Sequence, residues 1–179
     1  KNANLISSLN YGIKKSKGKY IARMDADDLS HPQRLEEQLF TLKEKDADVC
    51  GCDFYTINKE GKITEFFSTP LTNKDCFERL VLGVPYCHGS LFFKSSTLKK
   101  FLYDIEIYSS IEDYYLQVRI AKAGLKFTKV KNGLYYLRIH NNSFSNSKTK
   151  EMRSDTINLS NQFFNENLNN FNILENKST

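Results

Sequence analysis

The chain of 179 residues is 40% hydrophobic and 26% charged, ordinary usage for one globular domain, which excludes a disordered tail, a collagen-like repeat and a disulfide-rich miniprotein. No apolar run approaches the ~20 residues needed to span a bilayer, so an integral membrane protein is not expected. The net charge of +5 is spread along the chain, which predicts a solvated surface and no nucleic-acid partner, while a phosphate-bearing small molecule or peripheral contact with an anionic membrane face stays compatible.

In chain order, Leu5, Ile6, Leu9 and Ile13 recur at helical spacing, and Gly18 closes that segment. Lys19–Met24 reads as a strand and runs straight into Asp25-Ala26-Asp27-Asp28. Ser30 with Gln33 three residues on predicts a capping box for a helix through Leu35, Leu39 and Leu42. A strand is expected at Asp48–Ile57, a turn at Asn58–Gly61 and a return strand at Lys62–Phe67. Then follow a short helix (Asp75–Leu82), a strand (His88–Phe93), a short helix (Ser96–Phe101) and a helix from Ile111 to Ala123 ended by Gly124. Lys126–Val130 and Leu134–Ile139 are strand-like. Met152, Thr156, Leu159 and Phe163 repeat at helical spacing in an amphipathic, Asn-rich tail that is expected to cover the sheet. The alternation predicts one α/β domain. Cys50, Cys52, Cys76 and Cys87 lack metal-site spacing and are expected to be buried free thiols of a reducing compartment.

The acidic cluster is the most informative stretch. A strand delivers three carboxylates at its C-terminal end, where ligands bind in open α/β sheets. Their mutual repulsion costs stability unless a cation sits among them. Oxygen ligands with few other donors suit Mg²⁺ or Mn²⁺ shared with substrate phosphates. Helix capping accounts for one of these aspartates but hardly for three.

The run from Ser8-Leu9-Asn10-Tyr11-Gly12-Ile13 through Gly18–Asp28 to Pro32-Gln33-Arg34-Leu35, 28 residues in order, resembles family 2 glycosyltransferases of the GT-A fold. His88–Lys94, Ser110–Arg119 with its Glu-Asp pair, and Leu137-Arg138-Ile139-His140 followed by Ser143 and Ser145 are similar to later segments of that family. The resemblance implies a nucleotide-diphospho-sugar transferase fold, Rossmann-like, with a mixed central sheet flanked by helices. It covers roughly residues 1–146 as a partial GT-A domain, leaving 147–179 as a helical tail. The family's first βαβ unit, which holds the nucleotide base, has no counterpart. The chain opens Lys1-Asn2-Ala3-Asn4 with neither Met nor an apolar signal segment, so it is expected to enter the fold partway through and to be inactive alone.

The resemblance also implies roles. The reaction would be inverting transfer of a sugar from a metal-bound nucleotide-diphosphate sugar to a hydroxyl of a saccharide or lipid-linked acceptor. The setting would be synthesis of bacterial surface polysaccharide or lipopolysaccharide, in the cytoplasm or at the inner face of the membrane. Asp27 would hold Mn²⁺ or Mg²⁺, Asp25 the same ion or the donor ribose, and Asp28 would be a further ligand or a support. Asp113 would be the general base. Glu112 would contact the acceptor or hold its loop. Asn10, Arg138 and His140 would face the donor; for His140 a surface position is an equal alternative. His88 and Tyr114 would face the acceptor or pack. Gln117 stands where the family usually has Trp, which leaves the acceptor class open. Two other readings are a metal-dependent phosphohydrolase and a non-catalytic sugar-nucleotide-binding fragment. The first also opens on a strand and DxD, but wants Thr or Val where Leu29 stands.

Overall fold

The computed structural model describes residues 4–104, 106–139 and 149–167. Helix α1 (Leu5–Lys15) starts on Asn4, whose side chain accepts from the Ser7 N–H at 2.8 Å, and ends on Lys14 and Lys15, where the helix dipole favours cations. Strand β1 (Tyr20–Ala22) follows, then β2 (Leu29–Ser30), α2 (Arg34–Glu44), β3 (Val49–Ile57), β4 (Ile63–Phe67) and α3 (Asn73–Arg79). After a 3-10 turn at His88–Ser90 come β5 (Phe92–Lys94), α4 (Ser95–Lys100), α5 (Glu112–Lys122), β6 (Phe127–Arg138) and α6 (Thr149–Glu166).

The sheet runs β1-β5-β3-β6-β2. β3 and β6 are parallel and the other pairs antiparallel, which makes a mixed sheet. One edge of β3 is shared: Val49 and Cys50 pair with β5, and Phe54–Ile57 pair with β4.

Three local expectations are corrected. The two strands expected at 126–139 are one, β6, with register shifts opposite Cys52–Phe54. The irregularity leaves Lys131 and Asn132 exposed and lays Gly133 against the Tyr55 ring, where a Cβ would come within 2.3 Å. The capping box expected at Ser30 is absent, because Ser30 pairs with Tyr135 in β2 and Gln33, the residue before α2, makes no side-chain cap bond. A capping box does form at Thr72 and Asp75, which exchange bonds of 3.0 and 3.1 Å. Finally, His88 lies in the 3-10 turn and only Phe92–Lys94 is strand.

Alternation along β3 divides the core. Cys50 and Cys52 face Leu42 of α2, while Val49 joins Phe93, Leu116 and Ile120 on the other face. Leu159 and Phe163 of α6 are buried in this second cluster, with Phe163 4.9 Å from Phe77. The tail helix expected beyond residue 146 thus packs into the core beside α5. All four cysteines are free, and three are buried.

One polar network is enclosed. Asp53 on β3 and Lys129 on β6 meet at 2.5 Å, both about 5% exposed or less. The Asp53 carboxylate also accepts from Thr69 N–H at 2.7 Å, and Lys129 donates to Ser68 Oγ at 3.1 Å. With the bond from Tyr86 to the Pro70 carbonyl (2.9 Å), this ties segment 68–70 to the sheet.

Candidate functional site

β1 ends against a cleft of about 1090 Å³ whose walls include Asp25, Asp27 and Asp28, the 88–89 turn, Glu112 and Asp113 at the start of α5, Arg138 at the end of β6, and segment 68–70. Sequence-distant carboxylates are brought together here because β1, the 88–90 turn and α5 converge at one end of the sheet.

The three aspartates of the acidic cluster have different surroundings. Asp28 is buried and accepts from the Tyr135 hydroxyl and from the Arg138 N–H at 2.7 Å. Burial pushes its pKa up, against those two bonds. Its carboxylate braces the loop against β6. Asp25 is about one-third exposed and pairs with Arg23. Asp27 is exposed on the cleft wall, and its carbonyl accepts from Arg138 Nε at 2.7 Å.

Glu112 and Asp113 occupy the first turn of α5. Asp113 Oδ1 accepts from the Tyr114 N–H at 2.7 Å. Burial raises its pKa, opposed by that bond and by the Arg23 charge. Burial and then the Asp113 charge push Glu112 up to about 7 from its ordinary 4.5, opposed in part by its own N–H and by Arg23. Between those values the folded protein holds a proton that the unfolded chain has released. Stability from this group is therefore complete below about pH 4.5 and lost as pH rises through about 7. We expect the melting temperature of the ligand-free protein to fall from pH 5 to pH 8, and Glu112→Gln to flatten that slope in a thermal-denaturation series. An unchanged slope would remove Glu112 as its source.

The remaining candidates divide. His88 lines the cleft, half-buried, with Nε2 2.5 Å from the Tyr103 hydroxyl. Burial and then Arg23 hold it well below its usual pKa, hence neutral. Arg138 also lines the cleft, but its Nη1 donates to the carbonyls of Asn58 (2.8 Å) and Lys59 (3.1 Å), so it clamps the β3–β4 turn to the acidic loop. Asn10 is outside the cleft. Its amide exchanges two bonds with the Tyr103 backbone, at 2.8 and 2.9 Å. Tyr114 is likewise outside: it is 2% exposed and its hydroxyl donates to the Leu80 carbonyl. Its aromatic neighbours supplied the packing alternative, and packing is what the structure has. His140, Ser143 and Ser145 lie outside the described residues.

Two arginines to which the sequence assigns no role matter here. Arg34, in the Pro-x-Arg-Leu segment, is 2% exposed. It donates to the carbonyls of Gly89 (2.9 Å) and Arg23 (3.1 Å) beneath the Tyr135 ring, joining the two cleft walls. Arg23, 8% exposed, reaches into the cleft among Asp25, Glu112 and Asp113. For Arg23, the signal available in the sequence is an Arg near the end of the expected strand, just ahead of the acidic run.

Residues 1–101 match Glycosyl transferase family 2. The chain belongs to this family. A 142-residue stretch, 78% of the chain, is 32% identical to the O-antigen biosynthesis glycosyltransferase WbnJ of Escherichia coli and covers 55% of WbnJ. The chain spans between about a fifth and about half of the length of the curated relatives it matches. Among solved structures, S. aureus TarS in complex with UDP-GlcNAc superposes over 82% of this chain and 43% of TarS, with a TM-score of 0.59 at 17% identity. The mannosyltransferase PcManGT from Pyrobaculum calidifontis, in complex with GDP-Man and Mn²⁺, superposes over 94% of this chain and 55% of its own, with a TM-score of 0.55 at 12% identity. These neighbours share the GT-A fold, the architecture expected from the motif order.

Where the family usually carries Trp, Gln117 is fully buried. Its Nε2 donates to the carbonyls of Tyr86 and Asp113, both at 3.3 Å. It fixes the backbone beside Asp113 and does not open to the cleft.

The divalent ion the family implies is tested by the donor set. No three carboxylate, His or Cys side chains gather as a metal-binding group among the described residues. That does not conflict with an ion bridging substrate phosphates, which takes one or two protein carboxylates and completes its oxygen shell from substrate and water. Asp25 and Asp27 fit that requirement, and Asp28, turned to Tyr135, does not.

Proposed function

We propose that this domain is the catalytic part of an inverting glycosyltransferase that uses a nucleotide-diphosphate sugar and a divalent ion. The observation that carries the reading is the convergence of the acidic loop after β1 with Glu112 and Asp113 on one cleft, in a chain of this family. The Mn²⁺ and GDP-Man of PcManGT and the UDP-GlcNAc of TarS are consistent with a donor of this class.

Such a transfer needs a stabilised leaving diphosphate, an activated acceptor hydroxyl and alignment of both across the anomeric carbon. Asp25 and Asp27 would hold the ion, which when bound supplies Lewis-acid neutralisation of the diphosphate. Asp113 accepts the acceptor's proton as its oxygen attacks, and the carbon–oxygen bond to the diphosphate breaks on the opposite face. The Tyr114 N–H on Oδ1 orients the carboxylate of Asp113, which lines the cleft. Glu112 and His88 flank the acceptor side. Arg34 and Arg138 keep the two walls in register. A saccharide or lipid-linked acceptor is the corresponding second substrate, in line with the O-antigen role named for WbnJ.

The test is transfer of labelled sugar by the intact protein from a panel of nucleotide-diphosphate sugars to oligosaccharide and lipid-linked acceptors. We expect transfer with inversion at the anomeric carbon, loss of at least about 100-fold with EDTA, and recovery on adding Mn²⁺ or Mg²⁺. Release of phosphate from simple phosphomonoesters, with no sugar transfer, would replace this reading with phosphohydrolysis.

A further inference from the structure

Arg23 is the buried cation of the cleft and has a donor to spare. It is 8% exposed, one guanidinium nitrogen bonds Asp25, and Nε has no hydrogen-bond partner. Its backbone is fixed on both sides: the N–H donates to the Leu91 carbonyl at 2.9 Å, and its carbonyl accepts from Arg34 at 3.1 Å. Only the side chain is left to change partners. Arg138, the other arginine at the acidic loop, is committed to the carbonyls of Asp27, Asn58 and Lys59.

Asp25 is thus covered by a protein cation at one of the two carboxylates suited to a divalent ion. A guanidinium and a divalent ion compete for the same carboxylate oxygens. A diphosphate ends the competition, because its oxygens match the guanidinium fork better than a single carboxylate oxygen does. The unpartnered Nε is itself shielded from solvent, so the guanidinium carries a donor that its present position leaves unused and that a shift of the side chain onto such a ligand would satisfy.

We propose that Arg23 is an exchangeable counter-ion: it holds Asp25 in the donor-free protein and moves onto the donor's diphosphate, releasing Asp25 to the divalent ion. The inference rests on the reading of the cleft as a sugar-nucleotide site. It makes ion binding follow diphosphate binding and places a further donor-binding residue on β1's continuation.

The test uses two probes on the intact protein, neither requiring turnover: Mn²⁺ alone, followed by the electron paramagnetic resonance of the free ion, and inorganic pyrophosphate in the presence of EDTA, followed by calorimetry. Arg23→Met should tighten Mn²⁺ about tenfold and weaken pyrophosphate about tenfold, the size of one charge-assisted hydrogen bond lost or released. Arg23→Lys keeps the charge and the volume. It should leave Mn²⁺ binding within about threefold of the wild type and weaken pyrophosphate, since an ammonium cannot grip two oxygens as the fork does. Opposite signs on the two probes are the signature, because a merely structural loss weakens both. Changes of the same sign, no change in either, or no binding of either probe by any of the three proteins overturns the proposal. Should Arg23→Met fail to fold, Arg23→Lys decides it alone, and undiminished pyrophosphate binding is then the overturning result. A protein that shows the opposite shifts yet transfers no sugar would keep Arg23's role and reject the transferase reading.

Discussion

Replacing Asp113 by Asn is expected to lower kcat of sugar transfer by about 10²–10⁴-fold, the range that a positioned general base supplies. The donor KM should stay within about threefold, because the substitution removes a proton acceptor and not a donor contact. The fold should be untouched. An Asn oxygen can still accept from the Tyr114 N–H at the 2.8 Å scale now seen as 2.7 Å, and Tyr114 stays anchored on the Leu80 carbonyl. The measurement is steady-state kinetics beside a thermal melt. Undiminished turnover would take Asp113 out of the mechanism, and a lower melting temperature would mean the loss was structural. The upward shift of Asp113 adds a direction: wild-type kcat should fall as pH is lowered through its raised pKa, since only the ionised carboxylate can take the proton.

Lys129→Met is expected to cost about 3–5 kcal/mol of stability, the usual consequence of leaving one member of a buried ion pair alone. For a chain of this length that corresponds to a fall in melting temperature of roughly 10 °C. Asp53 would keep the Thr69 N–H at 2.7 Å but lose the cation at 2.5 Å, in a place with almost no water. The double variant Asp53→Asn with Lys129→Met should recover most of the loss. The Asn oxygen can still receive the Thr69 N–H, and no charge remains to be compensated. A differential scanning comparison of the three proteins checks this. If the double variant is no more stable than the single one, the pair acts through packing and not through charge. Segment 68–70 forms part of the cleft wall, so the single variant should also raise the donor KM.

Local pattern was enough for most of the elements. Residues such as Ile6, Leu9 and Ile13 state a helix because burial selects apolar side chains at its period, and the alternation of Val49, Cys50, Gly51 and Cys52 likewise states a strand with two faces. β2 escaped notice because two residues carry no periodicity, and it exists only where Leu29 and Ser30 meet Tyr136 and Tyr135. Spacing alone predicts a capping box at Ser30, and the ladder to β6 takes that residue instead. The resemblance places Asn10 toward the donor and leaves Tyr114 between the acceptor and packing. Their polar atoms serve the Tyr103 backbone and the Leu80 carbonyl, partners 93 and 34 residues away that no local rule anticipates.

By itself the sequence determined the acidic loop after β1, the Glu-Asp pair at the head of α5 and the family, because these are contiguous runs whose chemistry is written in residue types. Which of those carboxylates face the cleft was decided only by the tertiary structure. Asp25, Asp27 and Asp28 are near neighbours in the chain, yet Asp28 is turned inward by Tyr135 and the Arg138 backbone, Asp25 is held by Arg23, and Asp27 is left on the rim. A buried charge must find its partners wherever the fold supplies them, and those partners come from strands that meet only when the sheet closes.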